Sequence, residues 1–381
     1  MRLFFELIQI AIGNRDKLST IPSVAEWMKL YNLAKEQSVV GLAYNGVENL
    51  FKRHPGFCTN LPIELKMQWI GLACVIKRKN ELLNDRCLQL QQDLMHHGFK
   101  SCILKGQGLA TLYNSDSSLS LLRESGDIDV WVDAPRVEVV RYVKENYCIE
   151  SFDYKHLHAD IFPDASVELH YVPAVRPRPF TNKIWMRFVD SCKYDCFEVK
   201  ADGTEIIVPS RRFNLVYVLQ HIYSHLFGEE TTLKQYLDYY YVLKDGHENG
   251  CDIKEAYQKI AELKMGRFAG GCMWLMQEVF GLSRNQMLCE PNEKEGVFLL
   301  NRVLHKDYER AKGKHGKFLW RLNVMKCQTS KNLKLIPHYP MEVIMQFVWL
   351  VRHFVWKRTW IIRQRHLLYD TKMFFLTSWS L

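Results

Sequence analysis

Apolar residues recur every three to four positions through most of the first hundred residues, at Phe4-Phe5-Leu7-Ile8-Ala11-Ile12 and at Trp27-Met28-Tyr31-Leu33-Ala34, which predicts amphipathic helices. Breaks fall at Gly13-Asn14, Ile21-Pro22-Ser23 and His54-Pro55-Gly56. Pro62 suits the first turn of a long helix from about Ile63 to His96, and Gly98 supplies the left-handed residue that ends it. The period then changes to two. Phe99 to Leu104 predicts a short strand, and Gly106-Gln107-Gly108 a turn into a helix over Leu109 to Tyr113. Ile128, Val130 and Val132 alternate with Asp127, Asp129 and Trp131, so a strand there carries two carboxylates side by side on one face. In Val167-Glu168-Leu169-His170-Tyr171, Glu168 and His170 share a face in the same way. Asp133-Ala134-Pro135 opens a helix to about Asn146, and Glu150 to Phe162 reads as strand, with His156, His158 and Asp160 on one parity. Residues 173–200 read as a Pro- and Arg-bearing connection with a strand near Phe197 to Val199. The helical period returns from Pro209-Ser210, pauses at Asn249-Gly250, and closes with a helix from Met341 to His366. The pattern is α+β: a helical region over 1–97, a small sheet core over 98–208, and a helical region over 209–381.

Composition sharpens this picture. A chain of 381 residues can hold two or three domains, and an apolar share of 48% with 13% aromatic residues excludes a disordered protein. Eleven cysteines, an odd count scattered without tight spacing, read as free thiols of a reducing cytosol, hence a cytoplasmic protein. Cys192 and Cys196 are a close pair without a second pair, and so do not read as a zinc site. Glu6 and Gln9 interrupt the apolar start and no small-residue cleavage site follows, so Met1 to Ile12 reads as a helix rather than a signal peptide. No run of about 18 uncharged apolar residues predicts a spanning helix. The net charge of +9 is concentrated at the end, where 301–381 hold 16 Lys and Arg against 4 Asp and Glu. A basic aromatic helix bearing Trp349, Trp356 and Trp360 with Arg352 and Arg363 suits nucleic-acid phosphates, an anionic membrane surface, or a core helix whose basic arms reach solvent. The Lys-rich 306–335 stretch reads as a loop or short helix.

The chemistry concentrates on the strands. If they are neighbours, Asp127, Asp129 and Glu168 converge, and like charges that close repel strongly unless a cation or a proton sits between them. Oxygen ligands favour Mg²⁺ held jointly with substrate phosphates, and Mn²⁺ suits the same set. Asp160 is a rival for the third position. Gly106 and Gln107 at the turn let backbone amides approach a phosphate. Lys105 or Arg123 could add a phosphate contact, or each could hold a structural ion pair. Thr111 spoils a dinucleotide fingerprint and no P-loop occurs. His221 and His225 lie four apart on one helix face, but no Glu follows the first as a zinc protease helix requires.

Leu104-Lys105-Gly106, Arg123, Gly126-Asp127-Ile128-Asp129 and Glu168-Leu169-His170 together resemble the polymerase-β-like nucleotidyltransferase superfamily, and more closely a bacterial group called uncharacterised nucleotidyltransferases. The resemblance covers mainly 99–172, with a fainter echo at 209–243. Gln107 replaces the usual Gly or Ser after the turn glycine, and Glu168 replaces the commoner Asp. Leu233-Lys234 to Asp238 looks like the group's Leu-Arg-x-x-x-Asp segment with Lys in place of Arg. The resemblance implies a nucleotidyltransferase core in 98–208 and transfer of a nucleoside monophosphate from an NTP, with ATP the expected donor, to an unidentified small-molecule or protein acceptor, releasing pyrophosphate. Asp127, Asp129 and Glu168 would hold the metal, Glu168 or His170 would act as base, and Lys105, Gly106, Gln107, Arg123 and Lys234 would meet the nucleotide, with His221 and Asp238 as pocket candidates. The alternative is an inactive nucleotide-sensing or nucleic-acid-binding module, the latter through the basic tail.

Overall fold

The computed structural model describes residues 1–113, 117–197, 205–228, 231–304 and 332–363. Helices α1 (Arg2–Ala11), α2 (Val24–Glu36), α3 (Val40–Arg53) and α4 (Ile63–His96) come first. Ser23 and Glu26 form a reciprocal capping box that starts α2. The end of α4 matches the sequence expectation: Gly98 takes a φ of +82° while the Phe99 amide donates back to the Leu94 carbonyl.

Next come β1 (Ser101–Ile103), α5 (Gln107–Ala110), α6 (Ser117–Leu122), β2 (Ile128–Val132), α7 (Arg136–Asn146), β3 (Cys148–Phe152), β4 (His156–Asp160) and β5 (Val167–His170). They form one sheet in the order β1-β2-β5-β4-β3, parallel between β2 and β5 and antiparallel elsewhere. This is the mixed sheet of an α+β fold, flanked by helices. The two-residue period of β2 sorts its side chains. Ile128, Val130 and Val132 pack with Leu83, Cys87 and Leu90 of α4 and Val139 and Val143 of α7. Asp129 and Trp131 take the other face, where Trp131 stacks on Phe213 at 5.5 Å and meets Phe197 edge-on at 4.7 Å. Each such pair contributes roughly 0.5–1.5 kcal/mol beyond burial.

The chain continues through α8 (Pro179–Cys196), α9 (Arg211–Phe227), α10 (Leu233–Glu248), α11 (Ile253–Glu262), α12 (Gly266–Leu275), α13 (Glu293–Leu304) and α14 (Pro340–Arg363). Helix α8 corrects the expected connection over 173–200. Pro179 sits in its first turn, where it starts a helix rather than breaking one, and Trp185, Phe188, Val189, Cys192 and Cys196 form its buried stripe. Phe197 caps this helix, and the rest of the strand expected near Phe197 to Val199 lies outside the described residues. The Cys192 and Cys196 thiols are buried and free, and burial pushes Cys196 up to about 12. Most of 306–335 lies outside the described residues.

The two helical regions share one core, in which Phe4, Trp27 and Trp69 join Phe213, Tyr239 and Phe268. On the far side, α14 lies over the β3–β4 hairpin, with Tyr154 against Trp349 at 5.2 Å and Trp356 at 6.5 Å. Ile344, Phe347, Val351 and Phe354 on that helix are exposed. Trp360 and Arg363, expected on the same helix, have side chains outside those described. Among the described residues no helix is long and apolar enough to cross a membrane.

Candidate active site

The parallel register of β2 and β5 sets Asp129 beside Glu168 and Trp131 beside His170. His170 Nε2 lies 3.0 Å from Asp129 Oδ1 and 3.3 Å from Glu168 Oε2, so one ring nitrogen bridges both carboxylates. Lys105, just past β1, brings its Nζ to 2.7 Å from the same Asp129 oxygen. From β4, His158 Nε2 stands 3.5 Å from Glu168 Oε1 and His156 Nδ1 3.6 Å from Oε2. Asp127 is exposed just before β2, close enough for the charges of Glu168 and Asp129 to act on it. Asp160, the rival third acid, is exposed at the end of β4 opposite Cys148.

The local charges follow from this crowding. Burial alone would raise the Asp129 carboxyl, but Lys105 and His170 outweigh it and hold it well below the usual carboxylate range. Glu168 is likewise lowered, its hydrogen bond from His170 overcoming burial. Among the described residues no cation stands at contact distance from Asp127, and partial burial together with the charges of Glu168 and Asp129 raises it. Lys105 is half-buried, which works against its charge, and the Asp129 carboxylate outweighs this and raises it above the ordinary lysine value. Burial and the nearby His170 lower His156 to about 3, so its ring is neutral.

The turn below the site is built around α4. Gly106 takes a φ of +55°, and a Cβ there would meet the Asp127 carbonyl at 3.3 Å. Gly108 packs so tightly that a Cβ would lie 2.2 Å from the Ile103 carbonyl oxygen. The Gln107 side chain turns inward, its Nε2 donating to Asn84 Oδ1 at 2.6 Å and to the Asn80 carbonyl at 3.3 Å. Asn80 in turn donates to the carbonyls of Leu121 and Arg123, both at 2.7 Å. This accounts for the departure at Gln107: the side chain ties the turn to α4. Sequence reasoning missed Asn80 and Asn84, although an asparagine on the apolar stripe of a long helix, as Asn80 is, is a signal, since its polar groups need partners when buried.

Arg123 is brought not to the carboxylates but to Asp238. Its Nε and Nη2 donate to the two Asp238 oxygens at 2.7 and 2.8 Å, and the Tyr113 hydroxyl adds a bond at 2.8 Å. Lys234 is half-buried beside this pair, where burial and the Arg123 charge lower its pKa. His221 instead joins Lys105 and His170 in the wall of a cavity of about 280 Å³ next to the carboxylates.

Among the described residues two sets of side chains are placed to bind a metal: Asp129, Glu168 and His170, and His156, His158 and Glu168, with ligating atoms within 4.8 Å of one another in each. His170 Nδ1 and His156 Nδ1 are buried without a hydrogen-bond partner among the described residues. Carboxylate oxygens with adjacent imidazoles suit a divalent cation, and the residues fit one. Lys105 already contacts Asp129 Oδ1, so a cation would use the other carboxylate oxygen or move the ammonium.

Searches of curated proteins and of solved structures found no match. A family model described as uncharacterised nucleotidyltransferase matches residues 23–281, a span that holds the sheet, the acidic pair and the Arg123–Asp238 bridge. The chain belongs to this uncharacterised nucleotidyltransferase family.

Proposed function

We propose that the protein transfers a nucleoside monophosphate from an NTP, with ATP the expected donor, to an acceptor oxygen and releases pyrophosphate. The observation that carries this reading is the pairing of Asp129 with Glu168 across parallel strands, with Asp127 at the strand entrance. Asp127, Asp129 and Glu168 would hold Mg²⁺ or Mn²⁺, which supplies charge neutralisation for the triphosphate and acidifies the attacking hydroxyl. In the transfer, the acceptor oxygen bonds to the α-phosphorus, the bond to the β-phosphate oxygen breaks, and the acceptor proton passes to Glu168 or His170. His170 positions Asp129 through their 3.0 Å hydrogen bond. Lys105 and the backbone at Gly106 and Gln107 are assigned to the donor phosphates. Arg123 and Lys234 are assigned an indirect part, holding α10 against the turn, because the Arg123 fork is committed to Asp238.

The test is pyrophosphate release from each NTP with Mg²⁺ or Mn²⁺. Asp127→Ala, at an exposed position, should abolish release and leave the melting temperature near wild type; release at the wild-type rate would remove the mechanism. One feature favours a second reading, nucleotide binding without turnover: Lys105 already neutralises Asp129. That reading expects metal-dependent nucleotide binding with no pyrophosphate from any NTP.

A further inference from the structure

The cavity beside the carboxylates carries positive charge that holding a donor does not require. Lys105, Lys155, Arg176 and Arg178 line it against Asp153 and Glu342. Lys105 is paired with Asp129, but Arg176, only 5% exposed, is held by neutral groups alone. Its Nη1 donates to Gln220 Oε1 and Met265 Sδ, its Nη2 to the Leu263 carbonyl at 2.8 Å, and the guanidinium lies 5.5 Å from the Tyr223 ring centre. Its Nε is buried with no partner, and among the described residues no carboxylate stands at ion-pairing distance. Burial and the nearby Arg178 charge both work against this cation, and Glu342 offsets them only in part. A guanidinium buried among neutral partners is costly unless a counter-charge joins it. The backbone is nonetheless pinned for the purpose, with the Arg176 amide donating to Asn182 Oδ1 at 2.7 Å.

We propose that this cavity is the acceptor site and that the acceptor is a small phosphomonoester, whose phosphate sits against Arg176, Arg178 and Lys155 while one of its hydroxyls faces Glu168 and His170. The inference rests on the nucleotidyltransferase reading and adds the acceptor class to it. Size supports one small molecule, since about 280 Å³ lies just below the roughly 300–1,000 Å³ of pockets for drug-sized ligands. Charge supports phosphate, because Lys155, Arg176 and Arg178, which have no carboxylate at ion-pairing distance among the described residues, match a dianion better than a single carboxylate, and arginine is suited to phosphate oxygens. Position supports an acceptor, because Lys105 and His170 belong to both the cavity wall and the carboxylate cluster.

Calorimetric titration tests this with inorganic phosphate, glycerol 3-phosphate and ribose 5-phosphate as probes, beside glycerol, ribose and glucuronate. The phosphorylated probes should bind wild type and the Asp127→Ala variant equally, and the uncharged ones should not bind. Arg176→Gln should weaken phosphate binding at least tenfold. Lys155→Ala/Arg178→Ala, which changes only half-buried side chains, should do the same if Arg176→Gln does not fold. Saturating Mg²⁺-ATP should leave phosphate binding in place. Displacement by Mg²⁺-ATP would instead make the cavity a donor site, preferential binding of glucuronate would replace phosphate by carboxylate, and no phosphate binding, or binding unchanged in both variants, would overturn the proposal. Absence of Mg²⁺-ATP binding while phosphate still binds would fault the nucleotidyltransferase reading alone.

Discussion

Asp238→Ala separates a structural Arg123 from a nucleotide-binding one. Arg123 and Asp238 are both buried and joined by two hydrogen bonds, with a third from Tyr113 to the same carboxylate. Removing the carboxylate leaves a buried guanidinium without an acidic partner, keeping its Nη1 contacts to Ser125 and the Glu124 carbonyl, and a Tyr113 hydroxyl without the Asp238 acceptor. Breaking one half of a buried pair costs about 3–5 kcal/mol. With a urea slope of about 3 kcal/mol/M, the unfolding midpoint should fall by roughly 1–1.7 M. The pair as a whole is worth less than that, since much of the loss is the stranded charge. Arg123→Met/Asp238→Leu should therefore be closer to wild type than either single variant. Urea unfolding followed by fluorescence of the buried tryptophans reads all four proteins. The reasoning fails if Asp238→Ala loses less than about 1 kcal/mol, or if Arg123→Met keeps full stability and raises only the KM for NTP.

Other consequences follow from the same geometry. Gly108→Ala forces a Cβ to within 2.2 Å of the Ile103 carbonyl oxygen, a backbone contact that cannot swing aside; a loss of about 1–3 kcal/mol in chemical denaturation is expected, and unchanged stability would contradict the close packing. His156 is neutral when folded, with its pKa lowered to about 3, whereas the unfolded chain protonates it near its ordinary 6.5. Between these values the unfolded state binds the extra proton, so stability falls as pH drops through the window. His156→Asn should flatten that slope in melting temperatures taken from pH 7 to 4. Lys105→Met removes the cation that holds Asp129 low, so the acid limb of Mg²⁺-dependent nucleotide binding should move to higher pH; a limb that stays in place would mean another group controls it.

Much of this site could be read along the chain because it depends on local periods. Alternation in β2 set Asp129 and Trp131 on the face opposite Ile128, Val130 and Val132, and the Pro62 to Gly98 frame gave α4 its ends. What the chain order does not reveal is which strands pair. That Glu168 stands beside Asp129 follows from the parallel β2–β5 pairing, across a helix and a hairpin. Helix α8 was hidden by its Pro- and Arg-rich approach, although Trp185, Phe188, Val189, Cys192 and Cys196 carry a helical stripe. Partners of buried charges were equally out of reach. Lys105 finds Asp129 and Arg123 finds Asp238 through tertiary packing, 24 and 115 residues away, where a sequence shows only basic residues near acidic ones.

The most direct test of the central claim, that the β2–β5 carboxylates form a metal-dependent nucleotide site, is the melting temperature with ATP, CTP, GTP and UTP, each with Mg²⁺, Mn²⁺ or chelator. A ligand at about 100 times its Kd stabilises by about 2.7 kcal/mol, a shift well above measurement error. The account predicts a rise with at least one NTP that requires the divalent ion and disappears in Asp127→Ala/Asp129→Ala. A rise that survives chelation and the double variant, or no rise with any nucleotide, would contradict it.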